Sequence, residues 1–158
     1  MNLTTEQKAT LKTAIQGTPA LNQLYVDGDL GGLANALNAA ASPAYIVWRT
    51  DVTADETGNA WSGTDIDGMS ALNMQRLQLL LASSPQGVFD MSRPDRRAGF
   101  ENPFGTNQNN ASRVAMRAVW KRSASVLEKL FATGSGTDNT PSTMGVVGSI
   151  GWMDLIGL

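Results

Sequence analysis

The chain has no cysteine and no histidine in 158 residues. The first absence excludes disulfides and thiolate metal sites. The second removes the commonest general base and transition-metal ligand, and with it Ser-His-Asp and Cys-His catalysis. Long apolar runs are also missing. The longest, Ala44 to Trp48, and the wholly aliphatic Leu79 to Ala82 are both far too short to cross a bilayer. The opening Met1-Asn2-Leu3-Thr4-Thr5-Glu6 has neither the basic nor the apolar region of a signal peptide. Synthesis and retention in a cytoplasm, without membrane contact, are therefore expected. Carboxylate or lysine chemistry remains possible in principle, but no motif points to it. The expectation is a protein that is not an enzyme, with no cofactor and no metal.

A net charge of −2 gives no global reason to bind nucleic acid. The distribution is uneven. Residues 1–90 hold nine acids and four bases, and residues 91–158 hold five acids and eight bases. Such a split suits either a solvated basic face or a bipolar subunit whose acidic and basic sides meet in an assembly.

Apolar periodicity predicts an all-α protein, a compact helical bundle at 1–132 followed by a flexible hinge and apolar C-terminal arm at 133–158. Thr4 and Gln7 have capping-box spacing at the start of a first helix. A second helix runs from Pro19 to Leu24 and a third from Leu30 to Ala40. Ser42-Pro43 reads as a further helix start, and Thr53 to Glu56 as a second capping box. Asp65-Ile66-Asp67-Gly68 reads as a turn. It lacks the spacing of a calcium loop, because glycine comes at the fourth place and no glutamate sits at the twelfth. Met69 to Ser83 is a helix closed by Ser84-Pro85-Gln86-Gly87. Another helix starts at Ser92-Arg93-Pro94. The longest is expected from Asn109 or Asn110 through Phe131. On it Arg113, Arg117 and Lys121, four residues apart, would form a continuous basic ridge facing a neighbouring subunit or DNA.

After that helix, Gly134-Ser135-Gly136 reads as a hinge at Gly134 and Gly136. It lacks the lysine and the preceding strand of a phosphate loop. The arm beyond it carries Val146, Val147, Ile150, Trp152, Met153, Leu155, Ile156 and Leu158, spaced by glycines, with only Asp138 and Asp154 as charges. A disordered tail is normally polar, and an exposed apolar strip marks an interaction site. The arm therefore either returns to its own domain, as a strand or extended segment, or docks on another chain with Trp152 as anchor.

Four stretches resemble a group of small tailed-bacteriophage proteins, the head–tail connectors or neck adaptors. They are Leu3-Thr4-Thr5-Glu6-Gln7, Ser42-Pro43-Ala44-Tyr45-Ile46-Val47-Trp48-Arg49, Ala71-Leu72-Asn73-Met74-Gln75-Arg76-Leu77 and Glu128-Lys129-Leu130-Phe131-Ala132-Thr133-Gly134. The resemblance implies a mostly helical subunit of a ring, usually a dodecamer, below the portal. It implies the portal protein, a tail or nozzle protein and further copies of the chain as partners, with weak contact to genomic DNA, at the neck of a virion. In that reading the arm orders on the portal or a neighbouring subunit. Deleting Thr143 to Leu158 is then expected to leave the helical domain folded and abolish portal binding. Two other readings stand beside it: a capsid decoration or minor head protein, and a small DNA-contacting regulatory protein using the basic ridge.

Overall fold

A computed structural model describes residues 1–84 and 86–158; Pro85, part of the turn expected after Ser83, lies outside the described residues. The elements run α1 (Thr5–Gly17), α2 (Pro19–Val26), α3 (Leu30–Asn38), β1 (Ile46–Trp48), β2 (Val52–Thr53), α4 (Ala54–Asn59), α5 (Gly63–Asp67), α6 (Ala71–Ala82), β3 (Val88–Phe89) and α7 (Pro94–Glu101). A 3₁₀ turn follows at Asn102–Phe104, then α8 (Ala111–Val119), β4 (Lys121–Ser123), α9 (Val126–Phe131) and a second 3₁₀ turn at Trp152–Leu155.

The expectation of an all-α bundle is overturned. The fold is mixed, 53% helical and 10% strand, with two small antiparallel sheets among the described residues. In one, β1 pairs with β4; in the other, β2 pairs with β3, with Val52 opposite Phe89. Each strand has only two or three residues, too few for a period-2 pattern to register in a sequence.

Two specific expectations fail for the same reason. Ser42-Pro43 does not start a helix. The bond between them is cis, and the chain continues extended into β1. Tyr45, Ile46 and Val47 are aromatic or β-branched, types that suit a pleated surface. Their backbone groups find partners in an extended segment: Ile46 N–H donates to Gly136, and Ser142 N–H to the Ile46 carbonyl. The helix expected from Asn110 through Phe131 is two helices separated by β4. Ser125 caps α9 through a capping box with Glu128, which satisfies the free N–H groups of a new helix start. The Asp65 to Gly68 turn is the end of the short helix α5.

By internal contact the chain divides into Met1–Val47 with Ser123–Leu158, and Trp48–Arg122. The expected division at residue 132 is thus replaced by an insertion: the second unit lies within the sequence of the first. In the first unit, α1, α2, α3 and α9 enclose Leu11, Ile15, Leu33, Leu37 and Leu127, and Val146, Ile150 and Leu155 complete that core. A satellite cluster joins Val47, Ala124 and Met144. The second unit buries Val52, Leu77, Phe89, Met91, Phe100, Met116 and Trp120. Phe100 packs edge-on against Phe89, and the Trp120 indole donates to the Thr57 hydroxyl at 3.2 Å. No helix among the described residues is long and apolar enough to cross a membrane.

Candidate docking surfaces

The 133–158 segment is built onto the first unit rather than free of it. Thr133 and Thr143 exchange backbone hydrogen bonds, and Gly145 N–H donates to the Phe131 carbonyl. Gly148 N–H donates to Glu128, while Asn38 holds Ile150 from both sides, donating to its carbonyl at 2.8 Å and accepting from its N–H at 2.9 Å. Asp154 receives the Met1 ammonium and the Gly151 N–H, each at 2.9 Å. Its carboxyl is held below the ordinary aspartate range, by the Gly151 N–H first and the ammonium second. The Tyr25 hydroxyl donates to the Leu158 carbonyl at 2.6 Å.

Gly134 and Gly136, expected to form a hinge, serve close packing. The Tyr45 hydroxyl donates to the Gly134 carbonyl and accepts from the Ser142 hydroxyl, each at 2.8 Å. At Gly136, φ is +65° and a Cβ would stand 2.2 Å from the Tyr45 ring. Both the left-handed backbone and the absent side chain are needed there.

The expected partner-binding residues divide into two sets. Val146, Ile150 and Leu155 are buried in their own core, and Leu158 is half-buried against it. Val147, Trp152, Met153 and Ile156 are exposed; the last three are 54%, 69% and 58% accessible. The 3₁₀ turn therefore faces inward through Leu155 and outward through Trp152, Met153 and Ile156. The end of α2 adjoins the end of the chain through Tyr25, and it adds exposed Val26 with Asp27 beside it. A run of apolar residues at this spacing could be read as an arm. It could not show which of them face the chain's own helices.

In the second unit the basic ridge does not form. Arg113 turns inward and is 5% exposed. It donates to Glu101 at 2.7 Å and to the Gly105 carbonyl. Arg117 grips the same carboxylate twice, at 2.6 and 2.7 Å, and also meets Gln108. Lys121 is on β4, past the end of α8, so the four-residue spacing no longer places it on a helix face. Burial, the largest single influence, raises the Glu101 pKa. The guanidinium groups of Arg117 and Arg113 together outweigh it and hold the carboxyl below its usual value. Arg97 stacks over Trp48, 4.0 Å from the ring centre. These arginines organise the unit instead of offering a ladder to phosphates.

Two further carboxylates are committed to structure. Arg49 donates to Glu56 at 2.8 Å, and the Thr53 N–H adds another bond at 2.8 Å. The arginine first, then Thr53, lower the Glu56 carboxyl to about 2. Asp65 accepts from the Asn110 amide, the Ser112 N–H and the Ser112 hydroxyl at 2.7 to 2.9 Å. Among the described residues no three acidic side chains converge on a point that could hold a metal ion.

The second unit also has an apolar surface that sequence reasoning missed. An open groove of about 460 Å³ is lined by Arg76, Leu79, Leu80, Gly99, Asn102 and Pro103. Leu72 and Leu79 on α6 are 57% and 64% exposed, while Leu77 is fully buried. A signal was present. At 100° per residue Leu72, Arg76 and Leu79 cluster on one side of α6, roughly 140° from Leu77. The helix has more leucines than one buried stripe can use. Compared with models of known protein families, with characterised proteins and with solved structures, the chain matches none.

Proposed function

We propose that this chain is a non-enzymatic virion protein, a ring-forming adaptor that joins a phage head at its portal to the tail. The exposed set Trp152, Met153 and Ile156 meets the portal or a neighbouring subunit. One observation carries the assembly part of this reading: three large apolar side chains stand exposed on a segment that the same chain anchors through Ile150, Leu155 and Asp154. Isolated exposed apolar residues are ordinary, but an exposed tryptophan and methionine on a fixed backbone suit an interface anchor. The phage assignment rests on the four sequence stretches that resemble neck adaptors.

The mechanism differs from a free arm that orders on contact. Ordering a free arm costs roughly 1–2 kcal/mol per residue, and a segment already folded avoids most of that cost. A ring of such subunits would further strengthen a weak single contact by multivalency. The test is native mass spectrometry of the chain mixed with the portal protein of the phage that encodes it. A portal ring carrying about a dozen copies is expected, as a closed cyclic assembly requires. A portal that stays unoccupied while the chain remains monomeric would overturn the reading.

A further inference from the structure

One carboxylate oxygen braces the turn that carries Trp152 and Met153. Oδ2 of Asp154 accepts from the Gly151 N–H and from the Met1 ammonium, each at 2.9 Å. The first bond closes the turn on itself, and the Asp154 N–H returns to the Gly151 carbonyl at 3.0 Å. The second ties the turn to a group 153 residues away in the chain. The Met1 side chain is 8% exposed, and Met1 and Leu3 both pack against the core of the first unit. The ammonium is therefore a structural group held in place. Its bond to Asp154 is charge-assisted, and such bonds are roughly twice as strong as neutral ones. Lys8 adds the weakest of the attractions on that carboxylate. The rest of the segment has other holds. Asn38 grips Ile150, Leu155 is buried, and Tyr25 donates to the Leu158 carbonyl. Loss of the ammonium would thus loosen Gly151 to Asp154 while the flanking residues stay fixed.

We infer that the α-amine of Met1 is a modification site that controls the exposed apolar face: a free ammonium latches the turn, and an acyl group on that nitrogen releases it. The inference rests on the adaptor reading for the role of the face. An acyl group, whether a formyl group or a preceding residue, makes the nitrogen a neutral amide. The charge and two of the three N–H donors are then lost. Freeing the amine is a hydrolysis. Water adds across the amide C–N bond, the acyl group leaves as a carboxylate, and the nitrogen departs with the protons as an ammonium. Synthesis in a bacterial cytoplasm starts on N-formylmethionine, so in that setting removal of the formyl group precedes closure of the latch. A blocked chain presents Trp152 and Met153 on a loosened turn. Docking must then order that turn, which weakens binding.

The test is a cycle of four full-length chains: Met1 free or N-formylated, each in the wild type and in Asp154→Asn. Expression with deformylation inhibited keeps the formyl group, which the intact mass verifies. The Asn side chain retains an oxygen for the Gly151 N–H but loses the charge. Hydrogen exchange is read at the Gly151 and Ile150 amides. In the wild type, formylation should speed exchange at Gly151 by about tenfold, the scale of one hydrogen bond to a charged group. It should leave Ile150, held by Asn38, unchanged. In Asp154→Asn it should change neither. Equal exchange in the free and formylated wild type would overturn the inference. So would an acceleration that persists in Asp154→Asn or is shared by Ile150, because either means general loosening without a latch at Asp154. Native mass spectrometry with the portal protein separates this inference from the adaptor reading. Occupancy by the free chain that drops on formylation supports both. An occupied portal indifferent to formylation overturns control by the amine and keeps the adaptor. A portal left empty by both forms, with the exchange effect intact, removes the adaptor reading and leaves the latch standing.

Discussion

Glu101 is the residue on which the second unit's polar interior turns. Its carboxylate side chain is 11% exposed and neutralises the buried Arg113, while also gripping Arg117. Removing one partner of a buried ion pair strands the other charge, which costs about 3–5 kcal/mol. Glu101→Ala should therefore lower the stability of this unit by about that amount in urea unfolding. Arg93→Ala, which breaks an exposed pair with Asp95, should leave the midpoint unchanged. Glu56 supplies a pH dependence. Its pKa falls from 4.5 to about 2 in the folded chain. A depressed carboxylate contributes stability that is present above the unfolded value and lost as pH falls through the folded one. The melting temperature of the wild type should exceed that of Glu56→Gln at neutral pH. The gap should shrink between about pH 4.5 and about pH 2. A gap that stays constant across this window would mean that Arg49 and Thr53 do not stabilise the ionised form.

At the scale of elements, the terminal segment and the break between α8 and α9 decide most. Deleting residues 143–158 removes Val146, Ile150 and Leu155 from a shared core. Loss of a buried aliphatic side chain costs about 2–5 kcal/mol. Three such losses, about 6–15 kcal/mol together, are comparable to the roughly 5–15 kcal/mol that stabilises a whole domain. The truncated chain should therefore lose the cooperative unfolding transition of the first unit, seen as collapsed dispersion of its NMR amide signals. This reverses the expectation that the helical domain survives the deletion. The break before α9 was open to view in the sequence: Ser125 and Glu128 repeat the spacing of Thr4 with Gln7 and of Thr53 with Glu56. An apolar stripe from Met116 to Phe131 concealed it, because two helices in register with two separate cores mimic one long helix.

For the whole molecule, the organising fact is that one unit interrupts the other. Residues 48–122 have their own core around Trp120, Phe100 and Met91. A stretch of this size can fold alone when its core is its own. Expressed by itself, the 48–122 fragment should unfold cooperatively with dispersed amide signals. A fragment without dispersed signals would mean that the unit depends on residues outside it. The complementary pieces, 1–47 and 123–158, share one core and should not fold separately.

The sequence by itself determined what this chain cannot do with histidine or cysteine. It also determined where most helices start, because capping and apolar period are local properties read within a few residues. Thr4, Thr53 and Asn110 cap helices as their spacing requires. The tertiary structure decided the rest. Strands of two or three residues exist only through partners far along the chain, such as Val52 with Phe89. Whether Arg113 faces water or Glu101, and whether Leu155 or Trp152 faces inward, depends on elements that no local pattern specifies. Burial is a property of what packs opposite a residue. For the terminal segment that partner is α3, more than a hundred residues earlier in the chain.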